Sequence, residues 1–99
     1  MMKVIVGYKI KDGADFIPVL RKLRSQAMQA PGFIGAENLL SEKDKHIFAL
    51  VSTWDKIEDW RQWEKSKIRQ DILGQAVPLL AEEPRVTTYT IIPTVRWWG

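Results

Sequence analysis

The chain has no cysteine and a single histidine, His46, in 99 residues. That excludes a disulfide framework, thiolate metal sites and zinc sites built on two imidazoles. A reducing, cytoplasmic location fits the composition. Long apolar runs are absent as well. The longest, Ile47 to Val51, is far short of a bilayer span, and Met1 to Val6 is too brief for the apolar core of a signal peptide. No membrane partner is therefore expected. The chain also carries no phosphate-cradling glycine loop, G-x-S-x-G elbow or H-E-x-x-H pair.

Charge of one sign is not concentrated anywhere. The net charge is +3 and the pI about 9.3, yet Glu58 precedes Arg61 and Glu64 precedes Lys67 at helical spacing, the pattern of a solvated face. No nucleic-acid partner is expected. At this length the chain forms one domain, residues 1–99, and such a domain buries only roughly 60 to 65 per cent of its unfolded surface. A monomer would be marginal.

What the chain does have is tryptophan. Three of its five, Trp54, Trp60 and Trp63, fall within Ser52-Thr53-Trp54-Asp55-Lys56-Ile57-Glu58-Asp59-Trp60-Arg61-Gln62-Trp63-Glu64-Lys65-Ser66. The first half closes a β-branched run and the second opens a helix, with Asp55 as cap and Glu58 completing a capping box. Ile57, Trp60, Ile68 and Ile72 then share one stripe, Trp63 lies on its flank, and Arg61, Lys65 and Arg69 occupy another face. Trp54 and Trp60 read as core; Trp63 reads equally well as core or as the wall of a cleft.

Elsewhere the period switches repeatedly. Lys3 to Lys11 alternates as a strand, with Val4, Val6, Tyr8 and Ile10 on one face, and Asp12-Gly13 turns it. Ala14 to Ala30 repeats Phe16, Leu20, Leu23 and Ala27 at helical steps, with Pro18 in the opening turn and Pro31-Gly32 as the stop. Phe33 to Ser41 and Lys45 to Trp54 form a hairpin around Glu42-Lys43-Asp44. After the tryptophan-rich helix the stripe loses phase near Gly74, predicting a kink or two short helices before Pro84. Val86 to Val95 is the last strand. The order is β-α-β-β-α-β, an α+β, ferredoxin-like fold with a four-stranded antiparallel sheet.

The strands are apolar on both faces. Ile47, Ala49 and Val51 back onto Phe48, Leu50 and Trp54; Ile5 opposes Val4 and Val6; and Ile34, Ala36 and Leu40 oppose Phe33 and Leu39. Two helices cover only one face of so small a sheet, so the other predicts a second copy of the chain, a homodimer. The tail Arg96-Trp97-Trp98-Gly99 would extend that contact.

RNA recognition motifs share this element order, but they stack bases on aromatic rings of the two central strands. Here those positions hold Ile5, Ile47 and Ala49. Gly32-Phe33-Ile34-Gly35 fits the GxxG spacing of a KH loop, yet it carries no basic residue and enters a strand.

The chain resembles the antibiotic biosynthesis monooxygenase (ABM) domain family over nearly its whole length. The resemblance rests on Val-Gly-Tyr-Lys-Ile-Lys-Asp-Gly at Val6 to Gly13, Ala-Pro-Gly-Phe-Ile-Gly at Ala30 to Gly35, and Ser52-Thr53-Trp54 followed by Asp59 to Ser66. It implies a dimeric α+β barrel and oxygenation of electron-rich aromatics, such as phenols, quinols or anthrones, without metal or organic cofactor. A second branch of the family degrades haem, using an Asn on the first strand, a Trp matched by Trp63, and a His ten residues later. In this chain Leu73 stands at the ligand position and Val6 or Tyr8 at the strand position, so haem chemistry is not expected.

The resemblance makes Trp63, Tyr8, Val6 and Leu73 the candidate pocket, with Trp63 for stacking and Tyr8 for a phenolic hydrogen bond. Tyr8 reads equally as a half-buried strand residue with its hydroxyl in solvent. His46 is the sole imidazole available as a base, though its place beside the Glu42 to Lys45 turn suits a surface residue. No catalytic residue is assigned. The competing function is non-catalytic: a dimer that binds a hydrophobic small molecule in a protective or signalling role.

Overall fold

The computed structural model describes residues 1–93. The elements are β1 (Met2–Lys9), α1 (Ile17–Ala27), β2 (Phe33–Leu40), β3 (Ile47–Trp54), α2 (Ile57–Lys65), α3 (Lys67–Ala76), a 3₁₀ turn (Val77–Leu79) and β4 (Arg85–Thr90). The sheet order is β2-β3-β1-β4, and every neighbouring pair is antiparallel. β3 thus lies between β1 and β2, the split βαβ arrangement expected for a ferredoxin-like α+β fold. The predicted last strand is shorter than Val86 to Val95; its end from Thr94 and the Trp97-Trp98 tail lie outside the described residues.

Alternation decides which face is packed. Val4, Val6, Tyr8 and Ile10 of the first strand are buried, as are Phe48, Leu50, Ser52 and Trp54 of β3. α1 lays Leu20, Leu23 and Ala27 on this surface. Trp54 is 0% exposed, edge-on to Phe33 at 5.4 Å and to Trp60 at 5.9 Å between ring centroids. Its indole N–H donates to the Ser52 hydroxyl at 2.9 Å, which explains a serine on an otherwise apolar face.

The strand and helix ends are tighter than the periodicity suggests. β1 stops at Lys9 because Ile10 and Lys11 bond instead to His46 and Leu79, each through a backbone N–H at 2.8 Å. α1 begins at Ile17, where the Asp15 carboxylate accepts the Ile17 N–H at 3.3 Å, and Pro18 sits in the first turn as expected. Gly32, at φ +81°, turns the chain into β2; a Cβ there would overlap the Asp59 side chain.

The predicted capping box is displaced by one residue. The Asp55 N–H donates to the Gly32 carbonyl at 2.8 Å and so still belongs to the edge of the sheet. The helix starts after Lys56, whose N–H donates to the Asp59 carboxylate at 3.2 Å; Asp59, not Glu58, makes the return bond, and the Lys56 side chain accepts none. The change expected near Gly74 comes two residues later, where α3 ends at Ala76 and the 3₁₀ turn follows, but the chain also breaks earlier, which the periodicity does not predict. Gly74 lies inside α3, and the chain breaks at Ser66, whose φ of −64° and ψ of 147° are extended.

Among the described residues no helix packs on the opposite face of the sheet. Ile5 pairs with Val51 on one side and Thr87 on the other, and Leu39 pairs with Ala49 in the next row. Leu39, Ile47 and Tyr89 are exposed there. No helix among the described residues is long and apolar enough to cross a membrane.

Candidate functional site

The break at Ser66 determines what the helix layer presents to the sheet. The Ser66 hydroxyl donates to the Trp63 carbonyl at 2.7 Å and accepts the Arg69 N–H at 3.3 Å, ending α2 and capping α3 with one side chain. α3 therefore starts in a new phase. Ile68, expected on the buried stripe, is 51% exposed, while Arg69, expected on the outer basic face, is 6% exposed and buried with Ile72 and Ala76. Sequence reasoning missed Arg69 because it treated the segment as one helix. The available signal was Ser66, a strong cap residue, after which Arg69, Ile72 and Ala76 fall at helical steps of three and four.

Arg69 lies over Trp60, its guanidinium carbon 5.2 Å from the ring centroid. One guanidinium nitrogen donates to the Glu64 carbonyl at 3.3 Å, and the Tyr8 phenol lies near enough for the two groups to shift each other's protonation. Among the described residues no carboxylate forms an ion pair with it. Burial lowers its pKa, opposed by Tyr8 and by the Glu64 charge.

Tyr8 is 3% exposed, so its hydroxyl is not in solvent. Its ring packs 5.0 Å from Phe16, which lies 5.8 Å from Phe48. Burial pushes the phenol up to about 12 despite the neighbouring Arg69 charge and hydrogen bond. The pair is thus a neutral O–H donor beside a cation in apolar surroundings.

The four predicted pocket residues reach one core but not one cavity. Val6, Tyr8 and Trp63 are buried in the sheet–helix interface, and Leu73 packs against it half-buried. Trp63 lines a cavity of about 300 Å³ between α1 and α2 with Gln26, Gln29, Pro31 and Gln62. Tyr8 borders a different one of about 310 Å³, with Lys9, Ile47 and Arg85. The Tyr8 ring is covered on one side by the buried Phe16 ring.

His46 is remote from this core. Its ring bridges Asp44 through Nδ1 at 3.0 Å and Asp12 through Nε2 at 3.1 Å, pinning the β2–β3 hairpin to the turn after β1. Hydrogen bonds to Asp12 and then Asp44 raise its pKa. With Leu73 in the core and the only histidine held by two carboxylates at the surface, the residues do not fit a haem ligated by imidazole. Among the described residues no group of His, Asp and Glu is arranged to hold a metal ion.

Solved structures of this fold are numerous. A protein of Nitrosomonas europaea provisionally named an antibiotic biosynthesis monooxygenase superposes with a TM-score of 0.84 at 19% identity, covering 94% of this chain and 100% of that one. A similarly named protein of Deinococcus radiodurans gives 0.86 at 12% identity over 100% of both chains. Rv0793 of Mycobacterium tuberculosis gives 0.83 at 13% identity over 96% and 98%. No curated protein matches the chain by sequence. The family model for antibiotic biosynthesis monooxygenase matches residues 1–75, three-quarters of the chain and all elements from β1 into α3. The chain belongs to the antibiotic biosynthesis monooxygenase family.

Proposed function

We propose that this protein is a cofactor-independent monooxygenase of an electron-rich aromatic molecule, a phenol, quinol or anthrone, acting between the sheet and the helices of a homodimer. The observation that carries the reading is the Tyr8 hydroxyl, a neutral donor next to a cation in a core otherwise built of rings and aliphatic chains. Family membership and the names carried by the fold's relatives support it.

The chemistry balances without an external reductant. A phenol taken to a quinone, or an anthrone CH₂ taken to C=O, loses two C–H or O–H hydrogens; one oxygen atom of O₂ enters the product and the other leaves as water. The substrate supplies every electron. The protein's part is to exclude water, orient the ring and stabilise charge on the substrate oxygen. In this reading Trp63 and Leu73 shape the ring's berth, Val6 floors it and Tyr8 hydrogen-bonds the oxygen. Phe16 packs against the Tyr8 ring here, so a substrate that reaches the Tyr8 hydroxyl displaces the Phe16 ring.

Oxygen uptake by purified, metal-free protein against a panel of hydroquinones, naphthols and anthrones is the test. Uptake above the buffer rate with at least one of them is expected. No acceleration across the panel would overturn the reading in favour of a non-catalytic ligand-binding dimer.

A further inference from the structure

Four of the chain's five glutamines gather along one groove of the helix layer. α1 packs against α3 and α2 against β3, so a cleft stays open between the end of α1 and α2. Asp59, Gln62 and Ser66 fall at helical steps of three and four and turn one face of α2 to it, while Gln26 and Gln29 approach from α1. The cavity there, of about 300 Å³, is at the lower end of the range that takes small ligands. A second cavity of about 330 Å³ adjoins it: Gln26 and Ile68 border both, and Gln75 lines the far one.

The polar groups of the first cavity are neutral save one carboxylate, and no lysine, arginine or histidine borders it. Among the described residues the Gln26, Gln29 and Gln62 carboxamides make no hydrogen bond to another protein group. Asp59 gives one oxygen to the Lys56 N–H, and the Ser66 hydroxyl is committed to Trp63 and Arg69.

That lining sorts ligands by their chemistry. An anion meets no cation and one carboxylate of its own sign. A flat apolar ring strips water from three carboxamides and returns nothing. A nucleobase needs an open aromatic face to stack on, and Trp63 is only 7% exposed. A hydroxyl, in contrast, both donates and accepts, so a neighbouring pair of hydroxyls satisfies one carboxamide through both its N–H and its C=O, and a further O–H suits the second Asp59 oxygen. The C–H bonds of a saturated ring then rest on Trp63, Pro31 and Ile68.

We infer that this groove binds a neutral saccharide. One sugar ring lies among Gln26, Gln29 and Gln62 with a hydroxyl on Asp59, and a second linked ring lies past Ile68 beside Gln75. The site stands apart from the proposed oxygenation and shares with it only Trp63, which also belongs to the sheet–helix core.

The experiment titrates full-length protein, labelled with heavy nitrogen, against the methyl glycosides of glucose, galactose and mannose and the disaccharides cellobiose, lactose and mannobiose, followed by two-dimensional NMR. At least one sugar should move the side-chain amide signals of Gln26, Gln29 and Gln62 and the Trp63 indole N–H saturably, and the disaccharide should bind more tightly than the single ring. Gln29→Leu and Gln62→Leu, both at exposed positions where the fold survives, should each weaken binding about tenfold. Phenyl phosphate and adenosine should leave these signals in place. No saturable movement with any sugar, shifts confined to other surfaces, or affinity unchanged in either variant overturns the proposal. Phenyl phosphate or adenosine moving the same signals as strongly also overturns it, giving the groove to an anion or a base, and equal affinity for one ring and two removes the second ring's place. No oxygen chemistry enters these readouts, so they hold whatever the oxygen-uptake assay returns.

Discussion

Ser66 accepts the backbone N–H of Arg69 at 3.3 Å, and this one bond sets the rotational phase of everything after it. Without the cap, α2 would run on through residue 66, Ile68 would face the core and Arg69 the solvent. Ser66→Ala removes both the cap and the bond to the Trp63 carbonyl. The expected cost is about 1 to 2 kcal/mol. A thermal melt of the variant should fall by about 4 to 8 °C per kcal/mol for a domain of this size.

The same residue marks the boundary of what was legible in the sequence. The strand faces were readable because alternation has a period of two and Val4, Val6 and Tyr8 cannot switch sides without exposing all three. The element order and family followed from turns and from the Ser-Thr-Trp and Asp-Trp-Arg-Gln-Trp stretches. Helix phase was less secure. A residue with extended ψ between two helical runs leaves no gap in the pattern of charges, so Arg61, Lys65 and Arg69 looked alike. Burial separates them: Arg61 and Lys65 are exposed and Arg69 is not. Of the candidate site, Tyr8, Val6 and Trp63 were legible as apolar or aromatic positions facing the helices. That Tyr8 and Trp63 border different cavities was not, because it depends on side-chain packing across distant elements.

The His46 clasp predicts a pH dependence of stability with a definite sign. Asp12 and Asp44 raise the folded-state pKa of His46, so its contribution is fully present below the ordinary histidine value of 6.5 and is lost as pH rises through the raised value. Asp44 is depressed below 3.8, chiefly by the His46 backbone N–H, so its contribution is lost as pH falls through that lowered value. Melting temperature should therefore decline as pH is raised from 6 to 8. His46→Gln should flatten that decline while leaving the fold intact, since both carboxylate contacts lie at the surface.

The uncovered face of the sheet predicts a homodimer. Light scattering coupled to size exclusion should give about twice the 11.5 kDa chain mass at micromolar concentration. Val51, paired with Ile5 and Glu37 at the middle of that face, is the residue to change. Val51→Asp should yield monomer or loss of fold, because an unpaired charge buried in an interface costs several kcal/mol. A stable wild-type monomer at that concentration would contradict the two-copy arrangement.

Isotopically labelled dioxygen offers the most direct trial of the central claim, that this fold oxygenates an aromatic without help from a cofactor. Metal-free protein incubated with an anthrone or a naphthol under labelled O₂ should place one labelled atom in the quinone product, with kcat/KM reduced about tenfold or more in Trp63→Ala. Product carrying oxygen from water alone, or a labelled yield equal to that of buffer without protein, would contradict it.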